Sequence, residues 1–252
     1  MNNQPDPFDT LEWWHEGGFL IGLDTLLGPV RDPYFGEALA DVPNAKVLDV
    51  GCGGGFVADA LKALGHEVTG LDSSSGALSA ARPHCAGGIV RADAHDLPFP
   101  DSYFDSVVCS EVLEHVDEPE KVVHECARVL RTGGRFLFST PNRTWLSRMT
   151  LINAAQEWRA TRILPAELHR WNRFIKPMEL EALLSSARLS LMDLKGISIA
   201  IRHLPDALGA LYALKRGDIS FAEAGRRIRL SLNKNAAVSY IGVAIKSKPG
   251  RA

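Results

Sequence analysis

The stretch VLDVGCGGG, residues 47–55, restricts this chain more than any other. A short apolar run of strand character passes directly into Gly51, Gly53 and Gly55, and a helix-like segment, FVADALKALG (56–65), begins at once. Glycine is needed where backbone turns sharply and comes close to a ligand. The amides at the start of the following helix favour the polar or anionic end of that ligand. Strand, glycine turn and helix in this order predict an α/β unit with a binding site at the strand's carboxyl end.

Two common nucleotide folds are excluded. A dinucleotide fingerprint needs a glycine at its sixth position, where this chain has Phe56, and a P-loop needs a Lys-Ser or Lys-Thr pair that is missing here. What remains is D-x-G-x-G-x-G with Asp49 inside the strand end. Two further strand tips add acids. Asp72 closes EVTGLD, 21 residues after Gly51, where it can accept both hydroxyls of a ribose. Asp93 closes GIVRAD, where a carboxylate can accept from an adenine amino group. A strand-end acid can also do no more than cap the next helix. Three consecutive tips with these chemistries point to a nucleoside cofactor.

The rhythm continues along the chain. KVLDV (46–50), EVTGLD (67–72), GIVRAD (88–93), FDSVVCS (104–110) and RFLFST (135–140) read as strands, with LSLMDLKGI (189–197) and SYIGVAIK (239–246) near the end. Helical segments alternate with the first five, among them 75–84 and EPEKVVHECARVLRTGG (118–134), which has Pro119 early and Gly133-Gly134 at its exit. Alternating strands and helices predict a mainly parallel sheet covered on both faces. Residues 1–43 precede the first strand and read as an N-terminal helical cap on a domain spanning 44–252. Residues 141–180 and 198–234 break the rhythm and read as helical elaborations over the ligand edge.

The order VLDVGCGGG, VTGLD, ADAHDLPF, FDSVVCSEVLEHV, LRTGGRFLFSTPN resembles class I S-adenosylmethionine-dependent methyltransferases, over roughly residues 46–142. The resemblance implies a Rossmann-like α/β fold whose sheet has seven strands, the last antiparallel. It implies a cofactor site built from Asp49, Gly51, Gly53, Gly55, Asp72, Ser73, Asp93, Ala94 and Ser110. Trp13-Trp14 and LHRWNRFIKPMEL outside that core, taken with EVLEHV and FSTPNR, resemble the UbiG family, which O-methylates catechol-type polyprenyl precursors of ubiquinone. That likeness adds Arg31, in GPVRDP, as a cofactor contact. It places Arg170 and Arg173 where the family has an acid and a lysine. The helical stretch 202–232 departs from the family's shorter loop and reshapes the acceptor side.

SEVLEHV (110–116) is the chemical centre of that reading. If a helix starts there, Glu111, Glu114 and His115 share one face. The resemblance associates them with a divalent metal, magnesium or zinc, able to bind a catechol and acidify its hydroxyl. The alternative is that Glu111 positions cofactor or substrate, Glu114 gains from the helix start and His115 is a packed or capping histidine. His169 is the second candidate for chemistry, as a general base, with His115 and Glu111 beside it in the catalytic set. His124 reads as structural, and Trp13 and Trp14 as pocket wall or core.

Composition narrows partners. A net charge of −2 gives no reason to expect nucleic acid. Four cysteines at spacings that fit neither zinc nor a disulfide framework predict reduced thiols. The N-terminus has neither the basic start nor the apolar core of a secretory signal, and there is no 18-residue apolar run, so a cytoplasmic protein is predicted. Residues 143–176 carry seven Arg/Lys against two Glu among tryptophans and leucines, a pattern that suits peripheral membrane contact or an amphipathic lid. The predicted function is O-methylation of a phenolic or catecholic small molecule. The alternatives are a natural-product N-, C- or O-methyltransferase with a tail-free acceptor, and a cofactor-binding partner protein without activity. The sequence leaves oligomeric state open.

Overall fold

The computed structural model describes residues 11–159, 161–165 and 168–248. Part of the expected N-terminal cap, residues 1–10, lies outside the described residues, as do positions 160, 166 and 167 within the 141–180 elaboration. Five strands form the parallel part of one sheet: β1 (Lys46–Val50), β2 (Glu67–Asp72), β3 (Ile89–Arg91), β4 (Phe104–Ser110) and β5 (Leu130–Pro141). Helices α2 (Phe56–Ala63), α3 (Ser75–Ala81) and α4 (Pro119–Val129) connect them. With β6 (Leu189–Ile199), β7 (Leu230–Asn233) and β8 (Ser239–Lys246), the sheet order is β3-β2-β1-β4-β5-β8-β6-β7. The last strand, β8, runs antiparallel to β5, as expected.

Eight strands, not seven, make the sheet. The additional one, β7, falls in the 198–234 stretch expected to be helical and pairs antiparallel with β6, from Gly196↔Asn233 to Ile199↔Leu230. LSLN has no helical apolar face, and the unpaired end of β6 offers it backbone partners that a lone segment would lack. The rest of that stretch is helical: α7 (Leu204–Arg216), ended by Gly217 at φ 76°, and α8 (Phe221–Arg227), capped by the Ser220 hydroxyl. Before the sheet comes α1 (Phe19–Leu39), which carries Pro29 and Pro33 internally. A proline inside a helix costs about 3 kcal/mol. Burial of Phe35 and Leu39, each no more than 1% exposed, offsets that cost. α1 and α8 approach closely because both are glycine at the crossing. A Cβ on Gly22 would meet Phe221 Cβ at 2.7 Å, and one on Gly225 would meet the Gly22 carbonyl oxygen at 2.5 Å.

The sheet separates two cores, because successive strand residues point to opposite faces. Leu48, Val50, Val107 and Phe136 pack with α4 and with α6 (Pro177–Ser186). Val47, Val108 and Leu137 pack with α1, α2 and α3. After β5 the chain makes α5 (Trp145–Ser147), which runs on as a wider π-helix over Arg148–Glu157. In a 3-2-1-4-5 order the direction of travel reverses between β1 and β4, and the ends of those strands form the crevice where α/β sheets bind ligands.

Candidate active site

The loop after β1 has the expected backbone. Gly51, Gly53 and Gly55 have φ of 67°, 52° and 86°, a region side chains disfavour. The amides of Gly51 and Cys52 both donate to the Leu71 carbonyl, at 2.7 and 3.0 Å, tying the loop to β2. Asp72 completes the tie: its two carboxylate oxygens accept from the Gly53 and Ser74 amides, each at 2.9 Å. The Ser73 carbonyl accepts from Arg91 Nε at 2.9 Å. Asp93 lies two residues beyond β3. One of its oxygens accepts from the His95 amide at 2.9 Å and lies 2.6 Å from His95 Nδ1, at the surface. Ala94 packs on the core.

Asp49 is 2% exposed, and its Oδ2 has no hydrogen-bond partner among the described residues. Burial raises its pKa to about 7, with Asp72 and Asp32 adding to the rise and Arg31 opposing it. Arg31 is itself buried on α1. Its Nη2 donates to Asp24 and its Nε to Asp32, both at 2.7 Å. Burial works against its charge, but those two aspartates outweigh it and the guanidinium stays protonated. Sequence reasoning singled out Arg31 as a cofactor contact; the structure shows its guanidinium paired with Asp24 and Asp32, and neither partner was anticipated. The available signal was the two-turn helical spacing that puts Asp24 on the same face.

The expected helix at SEVLEHV is not formed. Glu111 sits at φ 56°, which turns the chain out of β4, and α4 begins only at Pro119. The turn is held by the tip of β5. Ser139 Oγ donates to Glu111 Oε1 at 2.7 Å and lies 2.8 Å from Ser110 Oγ, while Thr140 Oγ1 donates to Glu114 Oε2 at 2.9 Å. This turn lies against the glycine loop, since a Cβ on Gly51 would come within 2.5 Å of Val112 Cγ2. Glu114 is 2% exposed and its Oε1 has no partner among the described residues. Burial raises the pKa of both glutamates, and for Glu114 the charge of Glu111 raises it further.

The tertiary structure regroups the metal candidates. Glu114, His115 and His169 bring one ligand atom each within 4.8 Å of one another, while the Glu111 carboxylate turns to Ser139. The His115 and His169 rings are 5.2 Å apart, and Phe174 meets His169 edge-on at 5.9 Å. Burial lowers the pKa of His115 to about 4, helped by Arg173, and that of His169 to about 3, helped by His115. Both imidazoles are neutral at pH 7. Arg173 donates to the His115 carbonyl at 3.0 Å and bridges to Asp117, fixing the turn from outside. Gln156, buried on the π-helix, clamps His169. Its Oε1 accepts from the His169 amide at 2.7 Å, and its Nε2 donates to the His169 carbonyl at 3.1 Å. No sequence pattern marked Gln156.

The two tryptophans close over the loop. Trp14 Nε1 donates to the Gly54 carbonyl at 2.8 Å, and its ring stacks on His84 at 4.1 Å. A Cβ on Gly53 would fall 2.4 Å from the Trp13 ring, and one on Gly54 2.6 Å from Trp13 Cβ. Trp13 therefore forms a wall of the site. His124, at 3.1 Å from Ser186 Oγ, lies away from it on α4.

These residues fit the two groups expected from sequence. The loop glycines leave no room for a side chain against Val112 and Trp13 and so bring bare backbone to the strand end, and the unpaired Asp49 oxygen suits a cationic N–H donor. The surplus of buried carboxylate over the single guanidinium of Arg31 favours a positively charged ligand. The unpaired Glu114 Oε1 and His169 Nδ1, beside a second neutral imidazole, form a donor set for a divalent cation.

Comparison with known proteins agrees. Residues 48–138 match the family described as "Methyltransferase domain". The ubiquinone biosynthesis O-methyltransferase of Alkalilimnicola ehrlichii is 36% identical over 192 residues, covering 74% of this chain and 76% of that protein. The one from an Azoarcus species is 32% identical and covers 90% of this chain and all of its own length. Among solved structures, an S-adenosylmethionine-dependent methyltransferase of Thermotoga maritima, titled a possible histamine N-methyltransferase, superposes with a TM-score of 0.60 at 19% identity. It covers 91% of this chain and 93% of its own, and shows the shared fold.

Proposed function

The chain belongs to the family of ubiquinone biosynthesis O-methyltransferases, and from that premise we propose that it methylates a phenolic hydroxyl of a ubiquinone precursor, using S-adenosylmethionine as donor. The observation that carries the reading is the contact between the glycine loop and the SEVLEHV turn, Gly51 against Val112, which joins the loop tied down by Asp72 to the turn that bears Glu114 and His115. One half is chemically suited to the donor, the other to an acceptor hydroxyl.

The chemistry that S-adenosylmethionine supplies when bound is a sulfonium methyl that passes to a hydroxyl oxygen while the sulfur keeps the bonding pair. Asp49 would accept from its ammonium group, Asp72 from its ribose, and the residues around Asp93 and Ala94 would hold its adenine. Trp13 would exclude water from the loop. On the acceptor side, the hydroxyl proton must leave. An imidazole of pKa about 3 is a poor match for a phenol at neutral pH. The same neutral imidazoles need no deprotonation to ligate a metal. We therefore assign Glu114, His115 and His169 as the residues that would hold a magnesium or zinc ion, which would lower the hydroxyl's pKa. Glu111, strained and bonded to Ser139, would position the acceptor.

Peripheral membrane contact through 143–176 belongs to the same proposal. Trp145 is 72% exposed, and Leu146 and Trp158 of the same segment are exposed too. Among the described residues no helix is long and apolar enough to cross a membrane.

Titration with S-adenosylhomocysteine, followed by methyl-transfer assays on catechol-type acceptors with EDTA or with added magnesium or zinc, tests the reading. Binding with EDTA-sensitive transfer is expected. Transfer indifferent to EDTA removes the metal and returns the proton to a side chain. No binding refutes the whole assignment.

A further inference from the structure

A cavity of about 590 Å³ lies between the start of α1, segment 162–165, and the α7–α8 pair. Its volume is that of a small-molecule site, for which about 300–1,000 Å³ is usual. Phe19, Ile163, Leu164, Pro165, Leu214 and Phe221 line it. Two cations complete the wall, but Lys215 is already engaged. Its Nζ donates to the carbonyls of Arg159 and Arg162, at 3.1 and 3.2 Å, and staples the segment to α7. The α1–α8 side is held by the glycine crossing and by Thr25 Oγ1, 2.9 Å from the Gly22 carbonyl and 3.2 Å from that of Ala222. The cavity is a solvent-open groove with a more apolar than polar wall.

Its position relative to the chemistry is set by two consecutive residues. The amides of Ile163 and Leu164 both donate to the Ala155 carbonyl at 2.8 Å. The next residue, Gln156, clamps His169. One turn of the π-helix thus carries the floor of the cavity and the histidine of the reacting centre. A second cleft, of about 310 Å³, lies beside the SEVLEHV turn, but the Arg143–Glu179 and Arg173–Asp117 ion pairs border it. A hydrocarbon there would strip water from charged groups, which is costly.

We infer that the groove between α1, segment 162–165 and α7–α8 binds the hydrocarbon tail of the methyl acceptor, an isoprenoid chain attached to the ring whose hydroxyl lies at His169. This rests on the acceptor class proposed above, since a ubiquinone precursor carries such a tail. The tail supplies binding that orients the ring, so it acts on the specificity constant for tailed acceptors and not on the donor site. Leu214, Lys215 and Phe221 of the groove's wall lie in the 202–232 stretch in which the chain departs from the UbiG pattern.

The test compares a catechol without a tail with the same ring bearing a farnesyl chain, in the full-length protein and in L214W and I163W, which fill the groove. Wild type is expected to favour the farnesylated ring in kcat/KM by about 100-fold, the scale set by burying several methylenes. Each variant is expected to lose about 10-fold or more of that preference. Its rate on the tail-free ring and its affinity for S-adenosylhomocysteine stay within twofold. Variants that keep the wild-type preference, or that lose both acceptors equally with donor binding intact, overturn the inference. A wild type that methylates the tail-free ring and gains nothing from the tail also overturns it and leaves the proposed function standing. A wild type that methylates neither ring overturns both.

Discussion

Replacing Asp49 by asparagine should separate donor binding from folding stability. The carboxyl is buried with an unpaired oxygen, and its pKa stands at about 7 against an ordinary 3.8. At about 1.4 kcal/mol per pH unit, ionised Asp49 costs the native state about 4 kcal/mol. The sign follows from proton binding. Between pH 3.8 and 7 the native protein holds a proton that the unfolded chain has lost, so this group makes the protein more stable as pH falls from 8 toward 4. The D49N substitution removes that dependence. The new amide, partly unpaired, costs about 1–2 kcal/mol at every pH. The stability of D49N relative to wild type should therefore be greatest at pH 8 and shrink by more than half by pH 5. Urea denaturation across that range measures it. Binding should move the other way. Ionised Asp49 is about nine-tenths populated one unit above its pKa and about one-tenth populated one unit below. Wild-type affinity for S-adenosylhomocysteine should then weaken about tenfold from pH 8 to pH 6, whereas D49N binds at least tenfold more weakly at pH 8 and shows no such slope. Parallel stability curves for the two proteins would refute the reasoning.

Other substitutions probe the remaining contacts. G53A puts a methyl group into the Trp13 ring at a φ of 52°, and should lose about 1–3 kcal/mol in thermal unfolding together with most donor affinity in calorimetry. Q156A removes both hydrogen bonds that fix the His169 backbone. Calorimetric zinc titration should show affinity down about 10-fold or more with donor affinity unchanged. E114Q keeps the Thr140 bond but replaces a carboxylate ligand with an amide. Metal-stimulated transfer should be lost while the protein, relieved of a buried acid, melts no lower than wild type.

How far the site was legible in the sequence depended on the range of each interaction. Gly51, Gly53 and Gly55 were readable because their requirement is local: a left-handed φ inside a short turn excludes side chains whatever surrounds it. The acids at the strand tips were readable because a parallel sheet places every carboxyl end on one edge. Asp49 and Asp72 meet the loop there, while Asp93 is turned toward His95. The same locality misled at SEVLEHV. Helical spacing put Glu111, Glu114 and His115 on one helix face, but hydrogen bonds from Ser139 to Glu111 and from Thr140 to Glu114, on a strand 26–28 residues away, hold the segment as a turn instead.

The sequence by itself determined the α/β plan, which follows from periodicity and glycine conformations along continuous stretches, and the class of reaction, which follows from the resemblance carried by the motif order. Only the tertiary structure decided which side chains act together. His169 reaches His115 and Glu114 because Gln156, thirteen residues back, holds its backbone. Trp13 roofs a loop forty residues further on, and β7 joins the sheet because β6 presented an open edge. Each of these pairings carries a loop-closure cost that the packed core offsets, and nothing in local propensity records which pairings the core will reward.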